Sequence, residues 1–360
     1  MTQEQISRKI TVLSFIAMIC VVMIHSHAIG TIENPASWCV FIQSLFMRMA
    51  TNWAVPFFFV VSGYFLASHN LNNFKKSGYF RLMRKKFSSL FIPYILWALI
   101  GTVISVSLIV LNNYLSSRGL FERTFLAPEG CWSKIDLLFG VTYNGPKGNL
   151  ALWYVRALLL IFLFSPILMV LSKIHRTVLA LVGIILSMVF SEFPISFLSL
   201  KLGAIGWFCV GMGIAQLGIE KYKMHNWCFY AVGAGWVSIA ILGALEASNL
   251  LEMEIVAEYL LPVCSLLGIL FWWGLYDRVQ ILKKEKLPEC FRMTFWVYCL
   301  HGVITGWFLA SILFLLGKSE WVAMLASGVS IAGSIVVSLV AGFLIKWQFP
   351  TIYGILSGGR

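Results

Sequence analysis

Apolar stretches close to twenty residues long recur from one end of this chain to the other, and that pattern directs it into a lipid bilayer. A helix of that length spans about 30 Å, the thickness of the hydrocarbon core. Composition agrees: 59% of the 360 residues are hydrophobic and 12% are charged, with a mean hydropathy of +0.86. Soluble domains carry about 25% charged residues. Aromatic residues make up 15%, with 14 Trp, as expected when many helix ends sit among headgroups.

The pattern predicts an all-α polytopic membrane helix bundle of about ten transmembrane helices. They fall near residues 10–30, 43–67, 89–111, 151–172, 177–194, 203–219, 228–247, 259–276, 294–316 and 321–345. Residues 1–360 then form a single integral membrane domain. The first run lacks a small-residue cleavage site and is followed by further spans, so it is expected to remain as a span. No internal repeat and no matching pair of broken helices is apparent, although secondary transporters often show them.

The net charge of +12 is distributed as a topology signal rather than as a nucleic-acid footprint. One set of loops holds Arg8 and Lys9, the run Lys75 to Lys86, Lys173 and Arg176, Lys221 and Lys223, then Arg278 to Arg292, and finally Lys346 and Arg360. The alternate loops hold acidic residues such as Glu33, Glu122, Asp136, Glu252 and Glu320. The positive-inside rule therefore predicts that both termini are cytoplasmic. Cys39 and Cys131 fall in segments placed outside, where a disulfide between them is open. No His, Cys, Asp and Glu set has metal-ligand spacing. The longest irregular stretch, 112–150, is external and rich in Gly, Pro and Asn, in the manner of a lid or an acceptor platform.

Ionisable residues inside spans are functional candidates by default. His25 closes the first apolar run. Counted from Lys9 it lies about 24 Å along the helix, in the outer half of the membrane. An imidazole is neutral at modest cost and ready to take a proton from a hydroxyl. Its bland alternative is an interfacial histidine hydrogen-bonded to a neighbouring helix. His27 is about 200° further round the helix and belongs to another face. Arg48 and Arg156 sit just inside outer helix ends, either snorkelling to headgroups or holding an anion. Glu192 reads as an interfacial cap. His301 lies one or two turns inside the cytoplasmic end of its helix, as a packed core histidine or a site residue. In "AVPFFFVVSGYF", Ser62 and Gly63 are small residues suited to close helix approach, with a nucleophilic Ser62 as the less favoured reading.

The order "VVMIHS", "VPFFFVVSGYF", a basic stretch running into "FIPYILW", "LWYVRALLL" and "WVYCLHG" resembles the acyltransferase-3 family of integral membrane O-acyltransferases across essentially the whole chain. The resemblance implies a multi-pass protein of the bacterial cytoplasmic membrane. It implies transfer of an acyl group, commonly acetyl and sometimes succinyl, from cytosolic acyl-CoA to a hydroxyl of a cell-surface glycan or lipid-linked saccharide. The family's first-helix histidine falls on His25, and its basic segment on Arg84, Lys85 and Lys86 as a cradle for the CoA phosphates. Arg156 and His301 fall in two further motifs, with Arg156 and Arg48 expected beside the chemistry and His301 on the donor side. Many members carry an arginine eleven residues before the histidine; here that residue is Ser14. Membrane lipids are the expected neighbours, and neither the residue spacing nor the charge placement points to a metal or a nucleic-acid partner. A continuous channel is expected to join the basic run to His25. The rival from another class is a transporter or flippase for an anionic glycan or lipid.

Overall fold

The computed structural model describes residues 2–70, 76–115, 135–136, 139–140, 145–174, 176–190, 193–195, 200–252, 259–280 and 286–359. Glu192, Cys131 and most of the 112–150 stretch lie outside them. The chain is helical almost throughout. A two-residue ladder pairing Pro194–Ile195 with Leu200–Lys201 is the exception among the described residues.

Among the described residues, six helices are long and apolar enough to cross a membrane: Gln3–Thr31, Ser37–Ser68, Gly78–Ser107, Asn226–Ala247, Glu289–Leu316 and Glu320–Gln348. Leu150–Leu163 and Ser165–Ser172 make a seventh if taken together, although they meet at a bend of 59°. Thr177–Met188, Leu202–Leu217 and Leu261–Tyr276 are apolar but shorter. Of the ten expected spans, six coincide with helices long enough for a full crossing, one with the bent pair and three with shorter apolar helices, and the expected 177–194 span outruns its helix. Hydropathy registers apolarity without registering straightness. Pro166, which offers no N–H to the preceding turn, sits at the bend.

Helix α1 (Gln3–Ile24) opens with a reciprocal cap: Gln5 N donates to Thr2 Oγ1, and Thr2 N donates to Gln5 Oε1. The second span is not one helix. Helix α2 (Ser37–Ser44) widens into a π-type turn at Leu45–Met49, and α3 (Ala54–Asn70) follows with Pro56 in its first turn. The basic helix α4 (Lys76–Lys86) passes through a second wide turn, Phe87–Phe91, into α5 (Ile92–Leu115). Beyond the long loop come α6 (Trp153–Leu163), α7 (Ser165–Ile174), α8 (Arg176–Met188), α9 (Leu202–Leu217) and α10 (Asn226–Ala247). The chain closes with α11 (Leu261–Tyr276), α12 (Thr294–Leu316), α13 (Glu320–Gln348) and the short α14 (Pro350–Leu356).

The bundle is patterned for lipid. On α13 the buried stripe is Ala323, Ala326, Ser327, Ser330, Ser334, Ser338 and Gly342, whereas Val329, Val336, Val340 and Leu344 stand exposed. Small and hydroxyl-bearing residues face inward and branched apolar ones outward, which reverses the order of a soluble helix. The protein is a multi-pass membrane bundle.

Small residues also set the tightest crossing. A Cβ on Gly63 would overlap the carbonyl oxygen of Phe208, and one on Gly211 would overlap that of Val60. Helices α3 and α9 therefore touch backbone to backbone, as the spacing of Ser62 and Gly63 predicts. Gly211→Val is expected to force them apart at a cost of about 1–3 kcal/mol, read as a lower melting temperature in detergent.

Residues of the basic set are held where α11 and α13 finish. Lys346 pairs with Glu289, and Arg278 donates to Met224 O and Asn226 Oδ1. At the opposite end, Glu320 Oε1 accepts from Ala36 N at 2.5 Å and its Oε2 from the Cys39 thiol at 3.6 Å. Lys9, read from sequence as an interfacial marker, is instead fully buried. Its Nζ lies 2.8 Å from Asp277 Oδ2 and 4.0 Å from the centre of the Trp273 ring.

Candidate active site

Helices α1 and α12 run side by side in register. Phe15 packs on Phe291, in the 3-10 turn leading into α12, with ring centres 4.5 Å apart, and ten residues later along each segment His25, at the cap of α1, meets His301 at 5.4 Å. His301 is the eighth residue of α12, about 10 Å from its start and 22 Å from its end. The two histidines are thus level with one another inside the bundle, not at opposite depths as counting from Lys9 predicts. Contact between the two rings, rather than a count along either helix, sets them at one level.

His25 stands where α1 ends. Ser26 Oγ turns back to donate to Val22 O at 2.7 Å, and the chain leaves the helix as irregular backbone. A buried polar knot holds that exit. Ile29 N donates to Gln43 Oε1, Gln43 Nε2 to Ser327 Oγ, and Ala28 N to the same Ser327 Oγ, at 2.8, 2.9 and 3.1 Å. These bonds tie the segment to α2 and α13. The His25 side chain is left open to a cavity, whereas the His27 ring is turned back 2.8 Å from Ile24 O.

That cavity encloses about 300 Å³ and is lined by His25, His301, Lys147, Ser105, Thr305 and Trp307, among others. His301 is fully buried. Its Nδ1 lies 3.3 Å from Val297 O. A carbonyl oxygen accepts and does not donate, so Nδ1 carries the proton in that contact. Nε2 then presents a lone pair, and it is buried without a hydrogen-bond partner among the described residues. Asn149 Oδ1 is a second buried acceptor in that condition, while its Nδ2 donates to Cys299 O at 2.9 Å. Gly302 explains how the loop comes so close: a Cβ there would run into Asn149 Oδ1 and stand 2.6 Å from Ala151 Cβ. The end of the long Gly-rich stretch, 145–150, is therefore a wall of the histidine cavity.

A second cavity of about 470 Å³ lies below, toward the basic end. Helix α1 gives it Ser7, Thr11 and Ser14, and two cations, Lys86 and Arg292, line it as well. Eleven residues make three helical turns to within about 20°, so Ser14 lies on the same stripe as His25, about 16 Å beneath it. The upper end of this vestibule is closed by Tyr154 and Tyr298, whose rings meet at 5.9 Å. Tyr298 is buried, donates to Ala151 O, and packs on His301 at 5.7 Å. In place of the expected continuous channel there are two separate cavities, with Tyr298 lining the lower one and packed on His301 of the upper. Ser62 Oγ sits 3.3 Å from Tyr154 Oη in the vestibule. Among the described residues, no group of three His, Cys, Asp or Glu side chains is placed to hold a metal ion.

The other expected site residues are more scattered. Lys86 lines the vestibule, and its Nζ caps the Phe162 ring at 4.0 Å. Arg84 faces a separate lateral groove, and the exposed Lys85 lines none of these cavities. Arg156 lines that lateral groove too and interacts electrostatically with Tyr94 and Asp136. Arg48 is exposed in the wide Leu45–Met49 turn and lines none of the three cavities. The charged neighbours expected at His25 are therefore replaced by His301 and Lys147.

A family model described as an acyltransferase domain matches residues 8–345. The chain belongs to the acyltransferase-3 family. A curated relative, the succinoglycan biosynthesis protein ExoH of Rhizobium meliloti (strain 1021), is 25% identical over 252 residues, covering 69% of this chain and 64% of that one. The match spans a little under two thirds of the relative's length. No solved structure matches the chain.

Within the family's pattern, Ser14 occupies the position where many members carry arginine, and here it faces the vestibule. Sequence reasoning missed Arg292, Tyr298, Asn149 and Lys147. Asn149 and Lys147 sit in the stretch singled out only for its length and its Gly, Pro and Asn content. Arg292 was counted as a topology charge.

Proposed function

We propose that this protein is a membrane O-acyltransferase that moves an acyl group, acetyl in the simplest case, from acyl-CoA to a hydroxyl of a cell-surface glycan or lipid-linked saccharide. The observation that carries the reading is a histidine pair lining one cavity, with Tyr298 packed between it and a basic vestibule, in a chain of this family. The lower cavity takes the thioester arm of the donor, with its phosphates on Lys86 and Arg292 at the basic end. The upper cavity takes the acceptor. In this reading the ten apolar helices cross the bacterial cytoplasmic membrane with both termini in the cytoplasm.

His25 acts as general base. It removes the proton of the acceptor hydroxyl as that oxygen attacks the thioester carbonyl. The tetrahedral intermediate collapses, the C–S bond breaks, and the CoA thiolate leaves and is protonated. The products are an ester and free CoA. An imidazolium formed at His25 packs against the His301 ring, 5.4 Å away. Lys147 supplies positive charge in the same cavity while the oxyanion develops. Tyr298 must swing aside for the thioester to reach His25. Arg156 orders the Tyr94 and Asp136 wall behind α6, and Arg48 stays at the bundle surface.

The test is release of free thiol from acetyl-CoA by purified protein in nanodiscs, stimulated by acceptor glycan. Movement of glycan into sealed vesicles without ester formation would establish the transporter instead. With Ser14 short and uncharged, Arg292 is the vestibule's second cation. Arg292→Gln is expected to raise the KM for acetyl-CoA about tenfold, the loss of one charge-assisted hydrogen bond, with kcat unchanged. Steady-state thiol release against donor concentration checks this.

A further inference from the structure

The largest of the three cavities belongs to neither the vestibule nor the histidine pair. It holds about 1050 Å³ between α4, the Phe87–Phe91 turn, α5 and α6. It opens sideways: Phe80, Phe87, Phe91 and Leu163, which line it, are exposed on the outside of the bundle. Most of its other wall is apolar, including Ile95, Leu159 and Leu160. Three cations line it: Arg84 and Lys86 come from α4, whereas Arg156 comes from α6 and interacts with Tyr94 and Asp136. Helix α4 itself, KSGYFRLMRKK, mixes basic and aromatic residues as helices lying in a membrane interface do. An occupant must therefore carry a long apolar chain and an anionic head on the face that holds α4.

We propose that this groove binds an anionic glycerophospholipid, with an acyl chain along Phe91, Ile95, Leu159 and Leu160 and its phosphate on Arg84 and Lys86. Charge complementarity selects the headgroup, because a choline cation would be repelled by the same pair of side chains. A lipid-linked acceptor fits less well. Its head would lie at the basic end, whereas the acceptor cavity assigned above opens above Tyr298. Lys86 lines both the groove and the vestibule, so the lipid phosphate borders the donor site.

The test is native mass spectrometry of the full-length protein released from nanodiscs containing equal phosphatidylglycerol and phosphatidylcholine, and it does not depend on acyl transfer. The wild type is expected to retain phosphatidylglycerol about fivefold over phosphatidylcholine, the effect of one cation at an anionic surface. Arg84→Gln should bring the two to parity, and Leu160→Trp, which fills the groove without changing charge, should strip both. Equal retention of the two lipids by the wild type would overturn the proposal, as would an undiminished preference in Arg84→Gln or full lipid occupancy in Leu160→Trp. Displacement of phosphatidylglycerol by an equimolar polyprenyl phosphate would reassign the groove to a lipid-linked carrier and overturn it too. Melting temperatures confirm that each variant is folded.

Discussion

Replacing His25 by alanine is expected to lower acyl transfer by about 10²- to 10⁴-fold, the usual contribution of a positioned general base, and to leave the melting temperature where it was. The two halves of that expectation have separate physical grounds. The His25 ring opens into a cavity and packs on His301, so its removal leaves little unpaired. What fixes the local backbone is the knot of Gln43, Ser327 and the Ala28 and Ile29 amides, and the substitution does not touch it. Thiol release from acetyl-CoA with acceptor glycan measures the first half, and thermal unfolding measures the second. His27→Ala is the matched control, because its ring is turned to Ile24 O and lines none of the three cavities. Transfer at the wild-type rate by a folded His25→Ala protein would remove the base from the proposed mechanism.

The largest stability effect is expected at Lys9. Its ammonium is fully buried, 2.8 Å from Asp277 and over the Trp273 ring. Lys9→Met leaves the Asp277 carboxylate buried without its partner, which costs about 3–5 kcal/mol. Changing both partners, Lys9→Met with Asp277→Leu, removes the stranded charge and is expected to recover most of that loss. A double-variant cycle of melting temperatures in detergent separates the pair from simple loss of packing. If the double variant is no better than Lys9→Met alone, the aromatic contacts rather than the ion pair hold α1 to α11.

The sequence was most informative where physics acts residue by residue. Apolar length and the alternation of basic loops are one-dimensional quantities, so membrane class and the helix positions were legible before any fold was known. Close packing at Gly63 was legible for the same reason, since a missing Cβ is local. Helical angle also separates His25 from His27, although in the structure the helix ends before them and His27 turns back to Ile24 O. The bend at Pro166 was visible as a proline, although hydropathy alone joined its two sides into one span.

Depth and partnership were not legible. Lys9 looked like an interfacial cation because its charge is local, while the Asp277 that neutralises it is 268 residues away. Counting along each helix separately sets His25 and His301 at different depths, yet their rings meet at 5.4 Å. Arg84 and Lys86 are two residues apart in one basic run, yet only Lys86 of the pair borders the vestibule. Sequence counts charges along a helix, whereas the packing of α4 against α5 and α6 decides which cavity each one lines.

What the sequence by itself determined is therefore the solvent, the helices, the family and the histidine at the end of α1. What only the tertiary structure decided is the company that histidine keeps. His301, Lys147 and Asn149 come from segments more than 100 residues from His25, and no local rule brings them together. They meet because α12 runs in register with α1 and because Gly302, lacking a side chain, lets the tail of the long loop reach the same depth.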